Sequence, residues 1–341
     1  MGSVKDLIVL REARVDEPGI GRFVFSDRYS VFDWGEMPDH IRGKGASICI
    51  VTAFFFEKLE EMGVRSHYLG IVEDGRLKRL KELKSPQNTL EFKLLRVVKP
   101  RLEGGRYDYS VYKDERGNFL IPLEVIYRNS LPEGSSVFKR LREGSLRLED
   151  IGLREMPKPG TILDKPILDV STKLEATDRY LSWDEAKEIC FLSDGEVERI
   201  REVTLLINEL ITKEAKRLGL FNEDGKVEYG FDEGRDIILV DALGTLDECR
   251  FSYEGLPVSK EIARVYYRKT DWYKDVEAAK KRDRVNWKSL VTSKPPKLPP
   301  ELASLISGIY MAYANEITGR EWFKVPSLRD ILTELKGLLG L

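Results

Sequence analysis

The stretch KVEYGFDEGRDIILVDAL, Lys226 to Leu243, alternates side chains on either side of the breaker run Glu233–Gly234–Arg235, which commits this part of the chain to an antiparallel hairpin. With the turn centred near Gly234, Glu228 falls opposite or next to Asp241. Lys226, Glu228 and Gly230 share one face of the strand, and Val227 and Tyr229 the other. Two carboxylates meeting across a ladder repel one another unless something neutralises them. Two arrangements answer that demand. A hard cation with oxygen ligands, typically magnesium carrying phosphate, can sit between the acids. Alternatively the hairpin is an edge whose carboxylates splay into water, with Lys226 or Arg235 as partner.

A second stretch, IPLEVIYRNSLPEGSSVFKR (Ile121 to Arg140), supplies the opposite charge. Its apolar run Ile121–Tyr127 suits a strand interior and delivers Arg128 to the strand end, where Gly134, Ser135, Ser136, Lys139 and Arg140 follow. Arginine grips phosphate or carboxylate in a fork, glycine allows close approach, and serine hydroxyls donate to anions. The same letters also describe a polar turn at a strand end. Asp247 and Arg250 add an acid and a base beyond the second hairpin strand.

Along the chain, Arg22–Asp27, His67–Glu73 and Thr89–Val98 read as strands. Between the first two, Ile48, Val51, Phe55, Leu59 and Met62 keep helical spacing, with Gly63 as C-terminal cap. RGKGAS (Arg42 to Ser47) places Lys44 between glycines before that helix, where an anion could rest on the helix N-terminus; it lacks P-loop spacing. His67, at a strand start, reads as structural. The charged run Arg76–Lys84 reads as a solvated face, and REMPKPGTILDKP (Arg154 to Pro166) as a loop. The longest helix candidate opens on a capping box, Ser193 with Glu196. A proline-rich break, TSKPPKLPP, precedes two C-terminal helices apolar enough to pack on the body or on another subunit.

Composition narrows the class. A net charge of −2 over 341 residues argues against nucleic acid or an anionic membrane as the main partner. No apolar run approaches the roughly 20 residues that span a bilayer, and the N-terminal residues lack a signal-peptide cleavage pattern. Cys49, Cys190 and Cys249, odd in number and scattered, read as free thiols of a reducing cytoplasm.

Four motifs in order, DRYSVFD with GKG (Asp27 to Gly45), PLEVIYRN…GS…KR (Pro122 to Arg140), DGKVEYG (Asp224 to Gly230) and LVDALGTLDECRF (Leu239 to Phe251), resemble the SAICAR synthetase family of purine biosynthesis. SKEIARVYY (Ser259 to Tyr267) resembles the segment closing the family's core, and the resemblance runs from about Phe23 to Arg264. It implies an α+β fold in two lobes, a small antiparallel-sheet N-terminal lobe and a larger α+β lobe with the nucleotide in the cleft between. We delimit residues 1–120, 121–290 and a C-terminal helical extension, 291–341.

The resemblance also implies an ATP-dependent ligase, using ATP and Mg2+ to join the carboxylate of carboxyaminoimidazole ribonucleotide to L-aspartate through an acyl phosphate. Glu228 and Asp241, with Asp224, would hold magnesium on the ATP phosphates; Arg14 would contact the nucleotide. Arg128, Ser135, Arg250, Lys44, Lys260 and Arg264 would bind substrate, and Lys226, Asp224 and Asp247 would lie at the reacting groups. Partners would be small molecules, with a homo-oligomer plausible, and the location cytoplasmic. The chain departs from the family at LREARV, with Arg11 and Glu12 in place of glycine and lysine, at Ala242 and at Leu246. A paralogue with another substrate pair, or a non-catalytic nucleotide-binding protein, are the alternatives those departures leave.

Overall fold

In the computed structural model, which describes residues 4–340, two antiparallel sheets meet along the stretch that carries the hairpin. The first is built from β1 (Lys5–Arg11), β2 (Gly19–Phe25), β3 (Tyr68–Glu73), β4 (Arg76–Lys78) and β5 (Thr89–Leu94), in the order β1-β2-β5-β3-β4, with helix α1 (Lys44–Glu61) entering after β2. A short ribbon of β6 (Arg101–Glu103) and β7 (Arg106–Asp108) follows. The second sheet uses β8 (Phe119–Leu131), β9 (Thr161–Thr172), β10 (Tyr180–Leu181), β11 (Phe221–Phe231), β12 (Ile237–Val240), β13 (Cys249–Tyr253) and β14 (Leu256–Pro257). Its path is β10-β9-β8-β11-β13-β14, and β12 also pairs with β11. The helices are α2 (Ser136–Glu143), α3 (Trp183–Cys190), α4 (Asp194–Arg217), α5 (Glu261–Tyr267), α6 (Asp271–Arg282), α7 (Pro300–Thr318) and α8 (Leu328–Leu339). This is the expected α+β class, a small antiparallel N-terminal part beside a larger α+β part.

The sheets are stitched at two points. The His67 amide donates to the Leu239 carbonyl at 2.9 Å and the Leu239 amide to the Arg65 carbonyl at 3.0 Å, so β12 is covered rather than a free edge. Arg96 and Leu120 make the second stitch, Leu120 N–H to Arg96 O at 2.9 Å.

Helix α1 is apolar nearly all round, because it is sandwiched between the first sheet and α7. Ile48, Val51, Phe55 and Leu59 are buried as their spacing requires, while Met62, just past the helix, is exposed. The C-terminal helices thus pack on the body of this chain. Helix α4 starts on the expected capping box: Ser193 Oγ accepts from Glu196 N–H at 3.2 Å, and Glu196 Oε2 accepts from Ser193 N–H at 2.7 Å. One expectation fails. Residues from Thr161 onward, read as loop, form the twelve-residue strand β9 along β8. Its first half is exposed and rich in Lys, Asp and Pro, so no alternation marks it. All three cysteines are buried and free.

Candidate functional site

The hairpin is present, and of the two expected placements Glu228 takes the one next to Asp241 rather than opposite it. Glu228 pairs with Val240 of β12, not Asp241, and on its other side with Glu124 of β8. Asp232 caps the loop between Phe231 and Ile237 by accepting from the amides of Gly234 and Asp236. Asp241 is the first residue past β12 and turns back with φ 67°, a left-handed conformation that aspartate tolerates. Glu228 and Asp241 therefore still line one cavity of about 280 Å³, whose remaining wall is largely apolar: Leu7, Phe92, Leu95, Leu120 and Val240 among others.

Three lysines meet these acids. Lys5 pairs with Asp241, and Lys173 Nζ stands 2.5 Å from Glu228 Oε1. Lys226 Nζ donates to Glu228 Oε1 at 2.8 Å and to Glu124 Oε1 at 2.9 Å, and lies 3.5 Å from Glu248. Burial, and then the charge of Asp241, push the Glu228 carboxyl up. Burial would raise Asp241 as well, but Lys5, Lys226 and Lys173 outweigh it and hold that carboxyl far below its ordinary range. Of the two acids, Asp241 is the firmer anion. Burial opposes the charge on Lys226, yet Glu248, Glu228 and Glu124 raise it well above the usual lysine value. The buried His67, which also lines this cavity, is pushed down to about 4 by burial, with Nε2 at 3.3 Å from the Asp241 carbonyl.

Asp224 does not join Glu228 and Asp241. It pairs across the ladder with Arg128 and with Arg250. Its carboxylate accepts from Arg250 Nε at 2.8 Å and from Arg128 Nη1 at 3.2 Å. A carboxylate engaged by two guanidinium groups positions arginines and is not available as a third metal ligand. Arg128 is 2% exposed and also donates to Asp169, Ser136 and Tyr180, and Arg140 donates to Asp169 at 2.6 Å. The expected cradle of cations is therefore a closed network around Asp169 and Asp224. Ser135 Oγ caps α2, accepting from the Val137 amide at 3.4 Å. Of this group Arg250 lines a cavity of about 210 Å³, shared with Glu223, Ser259 and Arg268.

The third group surrounds Asp247. Lys44, 1% exposed, stands 2.6 Å from Asp247 Oδ2, and the Tyr310 hydroxyl donates to Oδ1 at 2.5 Å. Burial would raise the Asp247 carboxyl, but Lys44 and Lys260 lower it further than that. Lys260 itself is pushed down by burial, against the pull of Asp247 and Glu248. Asp247, Glu248, Lys260 and Arg264 line a polar cavity of about 190 Å³ with Tyr29 and Ser30. The Lys226–Glu248 contact links this group to the hairpin cluster. The expected anion seat at the start of α1 is taken: Asp27 accepts from the Gly43 amide at 3.2 Å and the Gly45 amide at 3.0 Å. Arg14 lies exposed in the β1–β2 connection, away from the lining of the 280 Å³ cavity, which β1 serves through Lys5 and Leu7.

Sequence reasoning missed Glu124, Lys173, Lys5, Asp169 and Tyr310. Glu124 carried a signal, as an acid inside the apolar run Ile121–Tyr127, where a charge needs a partner. Lys173 follows the unrecognised strand, and Tyr310 lies in the C-terminal extension, so no local pattern points to either.

Among the described residues no three His, Cys, Asp or Glu side chains form a ready-made metal cage. Magnesium can be held by only one or two carboxylates, its shell completed by water and substrate phosphate. Glu228 and Asp241 fit such a half-site. Their lysine partners are flexible cations that phosphate oxygens could attract as magnesium takes the carboxylates.

The chain matches the model of the SAICAR synthetase family over residues 9–281. It is 51% identical over 339 residues to a provisionally named phosphoribosylaminoimidazole-succinocarboxamide synthase of Archaeoglobus fulgidus, covering 99% of this chain and 100% of that one. A phosphoribosylaminoimidazole-succinocarboxamide synthase of Thermoplasma acidophilum is 34% identical, over 88% of this chain and 93% of its own. Two solved structures share the fold. The SAICAR-synthase of Saccharomyces cerevisiae complexed with SAICAR has a TM-score of 0.60 at 23% identity, over 94% of each chain. The SAICAR synthetase of Pyrococcus horikoshii OT3 has a TM-score of 0.59 at 22% identity, over 93% of this chain and 98% of that one.

Proposed function

We propose, from the premise that this chain belongs to the SAICAR synthetase family, that it joins the carboxylate of carboxyaminoimidazole ribonucleotide to the amine of L-aspartate at the expense of ATP. Membership makes it a ligase of purine biosynthesis, and a cytoplasmic location goes with that role. Among the described residues no helix is long and apolar enough to cross a membrane.

The observation that carries the reading is the mixed wall of the 280 Å³ cavity, apolar over most of its surface and charged at one end by Glu228, Asp241, Lys5 and Lys173. A nucleotide has that polarity, with an apolar base at one end and phosphates at the other. In this reading Glu228 and Asp241 hold magnesium, which would neutralise charge developing on the phosphates. Lys226, tied to Glu228 and Glu124 and to Glu248 of the Asp247 cavity, would steady the reacting carboxylate. The ribonucleotide carboxylate oxygen attacks the γ-phosphorus and ADP departs. The aspartate amine then attacks the acyl carbon, phosphate leaves, and the nitrogen gives up a proton. Arg250, Lys260 and Arg264 border these two smaller cavities and would bind the anionic substrates, with Asp224, Arg128 and Ser135 behind them.

The test is magnesium-dependent ADP release with the ribonucleotide and aspartate supplied together and singly. Release that needs both, with SAICAR as product, is the expected result. Release with another carboxylate–amine pair would reassign the chain as a paralogue, and nucleotide binding without turnover on any carboxylate would make it non-catalytic.

A further inference from the structure

Helix α7 lies outside the 9–281 span of the family match, yet three of its buried hydroxyls, Ser307, Tyr310 and Tyr313, point at the loops that carry site residues. Spaced by three, they share one stripe of the helix. Ser307 Oγ donates to the Arg42 carbonyl, two residues before Lys44. The Tyr310 hydroxyl donates to Asp247 Oδ1 at 2.5 Å, and the Tyr313 hydroxyl to the Gly244 carbonyl at 2.9 Å. Gly244 and Asp247 belong to the turn that runs from Asp241 into β13. On its other side the turn packs closely on α1: Gly244 has φ +67°, and a side chain there would stand 2.2 Å from the Phe55 ring.

We infer that α7 is a clamp for the candidate site, and that Tyr310 is a positioning residue that fixes the carboxylate of Asp247 against Lys44. The inference rests on the ligase reading for what Asp247 does, though not for where it is held. A helix needed for packing alone would be served by phenylalanine at 310 and 313. Here each hydroxyl has a specific acceptor on a loop, and Asp247 has one oxygen held from α7 and the other from α1. The groups facing Asp247 are Lys44 from α1, Lys260 at the start of α5 and Tyr310 from α7, with Glu248 and Arg264 beside them. Burial and the Asp247 charge keep the Tyr310 proton in place far above neutral pH, so the phenol acts only as a donor.

Tyr310→Phe keeps the ring and removes the donor. The expected result is a kcat roughly tenfold lower, with KM for ATP within about twofold, because one hydrogen bond to a charged group is lost remote from the nucleotide cavity. The acid limb of the pH–rate profile should move upward, since the anion of Asp247 has lost a donor. Wild-type kcat with an unmoved limb would overturn the inference, and so would a lower kcat accompanied by a lower melting temperature and an unmoved limb. A readout independent of substrate is the carboxyl 13C titration of labelled aspartate, with Asp247 assigned by its loss in Asp247→Asn. An upward shift in Tyr310→Phe supports the clamp and no shift refutes it. A wild-type enzyme inactive on the proposed substrates, with that shift present, would sink the ligase reading alone.

Discussion

Strand β11 carries two buried charge clusters on one face, around Asp224 and around Glu228, about 13 Å apart at strand rise. At the first, arginines meet aspartates: Arg128 and Arg250 on Asp224, Arg128 and Arg140 on Asp169. Arg128, Asp169 and Asp224 are nearly sealed from solvent. At the second, lysines meet carboxylates on the wall of a cavity. A guanidinium holds a fixed fork with little entropy left to lose, whereas a lysine is a point charge on a long stem that changes partner readily. The same strand thus provides a rigid support and, four residues on, a set of ion pairs suited to opening around a charged ligand. The sequence alone had placed ligand binding at both.

The contrast is broken most sharply at Asp224. Asp224→Ala leaves Arg128 and Arg250 short of a buried counter-charge, and breaking such a pair costs about 3–5 kcal/mol. Denaturant unfolding should show that loss. A variant of wild-type stability with weakened substrate binding would mean the arginine cluster is a binding site rather than a support.

A pH series separates the clusters next. His67 lines the cavity of the lysine cluster and holds its proton less tightly folded, at about 4, than an unperturbed imidazole, at about 6.5. Below pH 6.5 the unfolded chain binds the extra proton. Stability is therefore complete above about 6.5, falls as pH drops toward 4, and loses roughly 3 kcal/mol across that window. Subtracting the profile of His67→Gln isolates this contribution from the carboxylates. Parallel profiles for wild type and variant would show that the buried imidazole is not what makes this corner acid-sensitive.

What could be read from the letters follows from how local each cause is. Alternation about Gly234 revealed the hairpin, and the spacing Ile48–Leu59 revealed α1, because periodicity within one element records its buried face. Whether Glu228 lies opposite Asp241 or next to it could not be read, since that depends on Asp232 accepting from two amides inside the loop. Asp224 and Glu228 looked alike because alternation gives a face and not a neighbour. The neighbours come from β8, β9 and β13, strands distant in sequence. Lys173 and Tyr310 arrive from just past a strand whose first half is exposed and from the C-terminal extension, for which no short-range rule exists.

Asp241 provides the finest test of the difference between the clusters. Asparagine has nearly the same shape, and it removes a charge that opposes the ionisation of Glu228 while freeing Lys5 from its partner. These changes have opposite signs, and the Lys5 and Asp241 side chains keep contact with solvent, at 23% and 18% exposure. Asp241→Asn should therefore unfold within about 1 kcal/mol of wild type. Turnover should respond very differently if the carboxylate holds magnesium on the phosphates. Loss of one anionic ligand is expected to lower magnesium-dependent ADP release by about a hundredfold, equivalent to about 2.7 kcal/mol of transition-state stabilisation. Raising magnesium should recover part of that loss, because a weakened site is refilled by mass action. A variant that turns over at the wild-type rate, or whose deficit ignores magnesium, would leave Asp241 as one more structural anion, and the lysine cluster would then differ from the arginine cluster in exposure alone.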